Sequence, residues 1–70
     1  MVTAYVLLQV ETGSVERTLD AITADPEVAW ADQITGPYDL IAAVQGSPHE
    51  VLQRLEQTHV TRNITCPVAR

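Results

Sequence analysis

The stretch ITGPYDLIAAV, Ile34 to Val44, places a Gly-Pro turn, a tyrosine and an acid directly at the mouth of an apolar run. Two chemistries suit Asp39 there. Its carboxylate can accept backbone N–H groups of the turn, as Asx residues commonly do. It can also accept the ammonium of a small zwitterion whose own carboxylate meets the N–H groups of the turn. Turn tips are where binding residues concentrate, so the second reading is carried beside the first.

The other reactive side chains offer less. His49 and His59 flank a helix-like segment with no Asp, Ser or Cys at triad spacing, and both read as solvated or capping residues. Cys66, ahead of Pro67, has no adjacent base and reads as a small buried hydrophobe. Asp20, Asp25 and Glu27 read as a solvated acidic rim, not a metal site. Trp30 reads as core or interface packing before it reads as a stacking ring for a ligand. The three glycines do not cluster around a strand-to-helix turn, so no phosphate loop is present. These residues imply neither a catalytic set nor a cofactor.

Composition narrows the setting. The chain carries 4 basic and 9 acidic residues, net −5, and no lysine, which disfavours direct contact with nucleic acid because that affinity comes from clustered Lys and Arg. The opening MVTAYVLLQV lacks the basic flank of a secretory signal, and no apolar run reaches the roughly 18 residues of a membrane span. A soluble cytoplasmic protein is expected, and the single cysteine agrees with a reducing compartment. A single domain spanning residues 1–70 buries only about 60% of the surface its unfolded chain exposes. No disulfide framework or zinc-ligand spacing is available to support it, which leaves oligomerisation.

The elements that must position Asp39 are legible from periodicity. Val2 to Val10 is β-branched, aliphatic or aromatic without a breaker and predicts a strand, ended by ETGS. Ser14 is an N-cap candidate, and Val15, Leu19 and Ile22 give a short helix one apolar face before Asp25-Pro26 stops it. Val28 to Thr35 alternates, with Val28, Trp30, Asp32 and Ile34 on one side. Leu40 to Val44 is continuously apolar, and the two predict an antiparallel hairpin through GPYD. Ser47, Pro48 and Glu50 form a capping-box arrangement opening a second helix with Val51, Leu52 and Leu55 on its apolar face. A last strand alternates Val60, Arg62, Ile64 and Cys66 with Thr61, Asn63 and Thr65 until Pro67 stops it or holds it at an edge.

The order βαββαβ predicts an α+β, ferredoxin-like fold: a four-stranded antiparallel sheet with both helices on one face. The first strand is apolar on both sides, with Ala4, Val6, Leu8 and Val10 opposed to Tyr5 and Leu7, and the third strand is similar. Helices on one face leave the other open, so a second copy is expected to cover it and complete a dimeric α/β sandwich or barrel.

On these residues the chain resembles the ligand-binding (RAM) domain of the Lrp/AsnC, or feast/famine, transcriptional regulators. ITGPYDLIAAV resembles the family's Gly-x-Tyr/Phe-Asp hairpin with its following strand, and TRNITCPV resembles its last strand. The resemblance covers essentially the whole chain. Full-length members begin with a helix-turn-helix domain, whereas Met1 here opens on the first strand, so the resemblance implies a stand-alone member without DNA contact. It further implies homodimers that assemble into tetramers or octamers, an amino-acid effector lodged where dimers meet, and mixing with full-length relatives. Carried over by position, Gly36, Tyr38 and Asp39 form the loop side of that pocket and Thr65 an opposite wall.

Two alternatives stay open at this level. Similar folds host small dimeric α/β-barrel enzymes, and fold alone does not exclude one. The strand faces assigned inward are mostly aliphatic, with Asp32 and Arg62 the exceptions, which weighs against catalysis. A purely structural partner of full-length regulators, its pocket unused, is the other.

Overall fold

The computed structural model describes residues 1–55 and 59–69. Its elements follow the expected order: β1 (Ala4–Val10), α1 (Val15–Thr23), β2 (Val28–Gln33), β3 (Leu40–Val44), α2 (Pro48–Arg54) and β4 (Val60–Pro67). All strand pairs are antiparallel and the sheet order is β2-β3-β1-β4, the ferredoxin-like arrangement.

Register decides which side chains meet. Leu8 pairs with Leu40, Val6 with Ala42 and Ala4 with Val44, and these residues face the helices. Ile22 of α1 and Val51 of α2 close over them, both with no exposed surface, and Leu55 completes the core. Tyr5, Leu7, Ile41 and Ala43 alternate to the opposite face. Each strand of the central pair therefore has two apolar faces, and the helices cover one.

Three local expectations need correction. Strict alternation along the second strand fails because a register shift between Val28 and Trp30 inserts Ala29. Val28 pairs with Val44 and joins the core side, while Trp30 and Asp32 point to the open face. Ser14 makes no side-chain cap; it is buried, and only its carbonyl engages α1, accepting from Thr18 N at 3.0 Å. At α2 the serine half of the expected capping box forms, Ser47 Oγ accepting from Glu50 N at 3.3 Å. The Ser47 N–H, however, goes to Glu27 Oε1 at 3.0 Å, so a distant acid supplies the second half.

The acidic rim is likewise more than solvated charge. Asp20 is exposed as expected, but Asp25 is buried, with 6% of its side chain exposed, and receives a two-pronged guanidinium: Arg54 Nε to Oδ2 at 2.8 Å and Nη2 to Oδ1 at 2.9 Å. Glu27 takes the same Nη2 through Oε2. This cluster ties the α1–β2 connection to both ends of α2. Hydrogen bonds from Arg54, then from Glu27 N–H, hold the Asp25 carboxyl below its ordinary 3.8 against the opposing effect of burial. Arg54 and Ser47 N–H hold Glu27 below its ordinary 4.5. Carboxyls depressed in the folded state stabilise it above their unfolded values, and that contribution is lost as pH falls through the folded values. Denaturant midpoints measured from pH 7 downward should therefore stay level to about 4.5 and then fall. Arg54→Gln should start less stable at neutral pH and lose less over the acid interval.

Candidate functional site

The Gly36–Asp39 loop is fixed to the end of β1 from several directions. Asp39 N donates to Leu8 O at 2.8 Å, and Asp39 O accepts from Ile34 N at 2.8 Å, extending the β1–β3 and β2–β3 ladders by one residue each. The Asp39 side chain reaches further: Oδ2 accepts from Val10 N at 2.9 Å. That N–H points to the β3 side of β1, beyond the Leu8–Leu40 pair where the ladder ends, so a carboxylate satisfies a donor that the strand no longer reaches. Gln9 Nε2 adds a 3.2 Å bond to Pro37 O. Gly36 has φ +121°, a conformation side-chain-bearing residues avoid, although a Cβ built there would touch nothing. Glycine is needed for backbone reach, not for space.

The structure brings Gly36, Tyr38 and Asp39 into one loop, with Tyr38 and Asp39 half-buried and Gly36 exposed. Thr65 stands apart within the chain. It pairs with Val6 across β1 and so belongs to the helix-side face of β4, where it is exposed. One oxygen of Asp39 is committed to Val10, which supports the turn-bonding role; among the described residues Oδ1 has no bonding partner. Gln9 was not singled out by sequence reasoning. Its signal is the single polar residue inside the otherwise apolar strand AYVLLQV.

The sheet face beside this loop is unusually apolar. Trp30, Ile64 and Tyr5 retain 47%, 42% and 37% of their surface, and the Tyr5 and Trp30 rings lie 6.2 Å apart at 53°. Trp30 is therefore not core. Cys66 pairs with Tyr5 on the same face and is exposed, against the expectation of a buried hydrophobe, because β4 is an edge strand covered on neither side within the chain. Asp32 and Arg62 stand exposed on the two edge strands of this face and line no cleft between sheet and helices. His49 is exposed, as expected. His59 is three-quarters buried, between Arg17 Nη1 at 3.3 Å from Nε2 and Glu11 Oε1 at 3.5 Å from Nδ1. Among the described residues no group of His, Cys, Asp or Glu could hold a metal ion, and no helix is long and apolar enough to cross a membrane.

Known proteins share this architecture closely. A Thermus thermophilus crystal structure superposes with TM-score 0.82 at 33% identity, over 100% of this chain and 95% of that one. The crystal structure of FFRP-DM1 gives 0.80 at 25%, over 99% and 100%. A hypothetical protein of Pyrococcus horikoshii gives 0.78 at 25%, over 100% and 92%. No functionally curated protein matches. The model of the Lrp/AsnC ligand binding domain matches residues 3–65, most of the chain. With a loop, register and sheet of this kind behind that match, the chain belongs to the Lrp/AsnC ligand-binding domain family, a regulatory family.

Proposed function

We propose that this protein is an effector-binding assembly module of transcriptional regulation: it pairs with itself through the open sheet face, binds a small amino acid at the Gly36–Asp39 loop and makes no DNA contact of its own. The observation that carries the reading is the placement of the loop. Asp39 and Gln9 continue the same alternation as Ile41 and Leu7, so the loop closes off the face that retains exposed Trp30, Tyr5 and Ile64. A second copy on that face brings its own surface to the loop. The ammonium of the amino acid would sit on Asp39 Oδ1, and its carboxylate on N–H groups of the turn. Thr65 lies on the helix-side face of β4, so it serves as the opposite wall when it comes from a copy of a neighbouring dimer and not from the copy seated on the open face. The net charge of −5 supports the absence of DNA contact. Full-length regulators of the family are the heterologous partners that this reading implies.

Asp39 variants separate anchoring from capture. Asp39→Ala leaves the Val10 N–H without its acceptor and should cost about 1–3 kcal/mol of stability. Asp39→Asn keeps an amide oxygen for Val10 but loses the charge that an ammonium needs. It should unfold close to the wild type while failing to respond to amino acids. The measurement is a thermal-shift panel of the twenty amino acids, with light scattering on the same samples. Stabilisation by one amino acid, with a change of particle size, supports the sensor. A flat panel leaves the loop a structural joint and sinks the effector role.

A further inference from the structure

We infer that the cleft between α1 and α2 is a second ligand site, taking a small monocarboxylate with an apolar body. The cleft is half open to solvent and offers about 450 Å³, within the roughly 300–1,000 Å³ of small-molecule pockets. It lies on the helix side of the sheet, across the core from the apolar face that a second copy would cover, and shares no residue with the Gly36–Asp39 loop. Its apolar wall is formed by Ala21 of α1, Ala24 just past the end of that helix, Pro26 and Leu55. The small side chains of Ala21 and Ala24 leave the space that a larger residue would fill.

The charges at this cleft decide the ligand class. Asp25 and Arg54 both line it, but they are spent on each other: both Asp25 oxygens accept from Arg54, and Arg54 also holds Glu27. Arg17 is different. Among the described residues its side-chain bond is to His59 Nε2 at 3.3 Å and no carboxylate pairs with it. Because a guanidinium only donates, His59 Nε2 is the acceptor in this contact, while Nδ1, buried and 3.5 Å from Glu11 Oε1, makes no hydrogen bond. The imidazole holds Arg17 at the cleft, and among the described residues the remaining N–H donors of the guanidinium meet no acceptor. A planar fork of donors beside an apolar wall matches a carboxylate carrying a short hydrocarbon tail. Among the described residues lining the cleft an ammonium would find no free carboxylate, since Asp25 is already engaged by Arg54, which sets this site apart from the amino-acid chemistry proposed at Asp39.

The test uses 4-methylpentanoate and, as the uncharged isostere, its amide, titrated into the intact protein and followed by amide chemical-shift changes. The acid should perturb α1 and the Leu55 region at millimolar concentration, and the amide should bind at least tenfold more weakly. Arg17→Gln should abolish that preference. Ala21→Leu, which keeps a strong helix former on α1, should remove binding of both probes by filling the cleft. Asp39→Asn should leave the titration unchanged, so failure of the loop reading and failure of this one are told apart. Equal binding of acid and amide, no perturbation by either, or shifts unaffected by both cleft variants overturns the assignment. Circular dichroism on each variant establishes that it is folded before its titration is read.

Discussion

Trp30→Arg should leave this protein as solitary chains at micromolar concentrations at which the wild type is expected to sediment as a dimer. The expectation rests on area and charge together. A tryptophan carries roughly 150–250 Å² of buriable surface. Trp30 retains 47% of its surface in the lone chain, so a partner can cover about 100 Å² of it. At about 25 cal/mol per Å² that is ~2.5 kcal/mol per copy, or ~5 kcal/mol for a symmetric pair in which each copy loses the ring. Such a loss corresponds to a dissociation constant higher by three orders of magnitude or more. Two guanidiniums desolvated within an apolar seam add to it. Tyr5, whose ring meets Trp30 at 6.2 Å, loses its neighbour at the same time. Asn63→Arg is the matched control: Asn63 pairs with Leu8 and is exposed on the helix side of β4, so the same charge there should leave assembly intact. Sedimentation velocity across a concentration series reads all three proteins. A wild type that stays a folded monomer, or a Trp30→Arg chain that still pairs, removes the seam on which the effector site depends.

The sequence carried more of this architecture than of the site. Element order, both helix faces and the two-sided apolarity of β1 are written in periodicity, because burial on a strand or helix leaves a pattern of fixed period. What periodicity cannot carry is a one-residue insertion: the extra residue at Ala29 moves Val28 to the core side without any change of residue type that announces it. Long-range pairing is hidden for the same reason. Asp25, Glu27 and Arg54 read as rim charges along the chain, and only the fold brings a guanidinium from α2 onto two acids beside β2. At the loop, Gly36, Tyr38 and Asp39 were legible from turn chemistry. The use of Asp39 Oδ2 on Val10 was not, since the donor lies 29 residues earlier, beyond the Leu8–Leu40 pair where the ladder ends. Cys66 shows the converse, a residue whose type predicts burial standing on an edge strand that the chain alone leaves open.

Leu7 and Leu8, adjacent and chemically identical, should separate folding from assembly when each is replaced by alanine. Leu8 has no exposed surface, packs in the core shared by both helices, and gives its carbonyl to Asp39 N at 2.8 Å. Truncating a leucine so placed costs about 2–5 kcal/mol. A 70-residue chain at 0.05–0.15 kcal/mol per residue has only about 3.5–10 kcal/mol in total. Leu8→Ala should therefore melt far below the wild type, and its melting temperature should rise with protein concentration, because a dimer that forms only from folded chains draws the equilibrium back. The Asp39 amide, anchored to the backbone of the altered residue, should lose hydrogen-exchange protection along with the core strands. Leu7 points to the open face, half-buried, so Leu7→Ala removes little from the monomer's own packing. It should weaken pairing while leaving the fold of the isolated chain nearly unchanged. If the two variants lose stability alike, with no concentration dependence in either, the alternation of β1 does not divide core from seam.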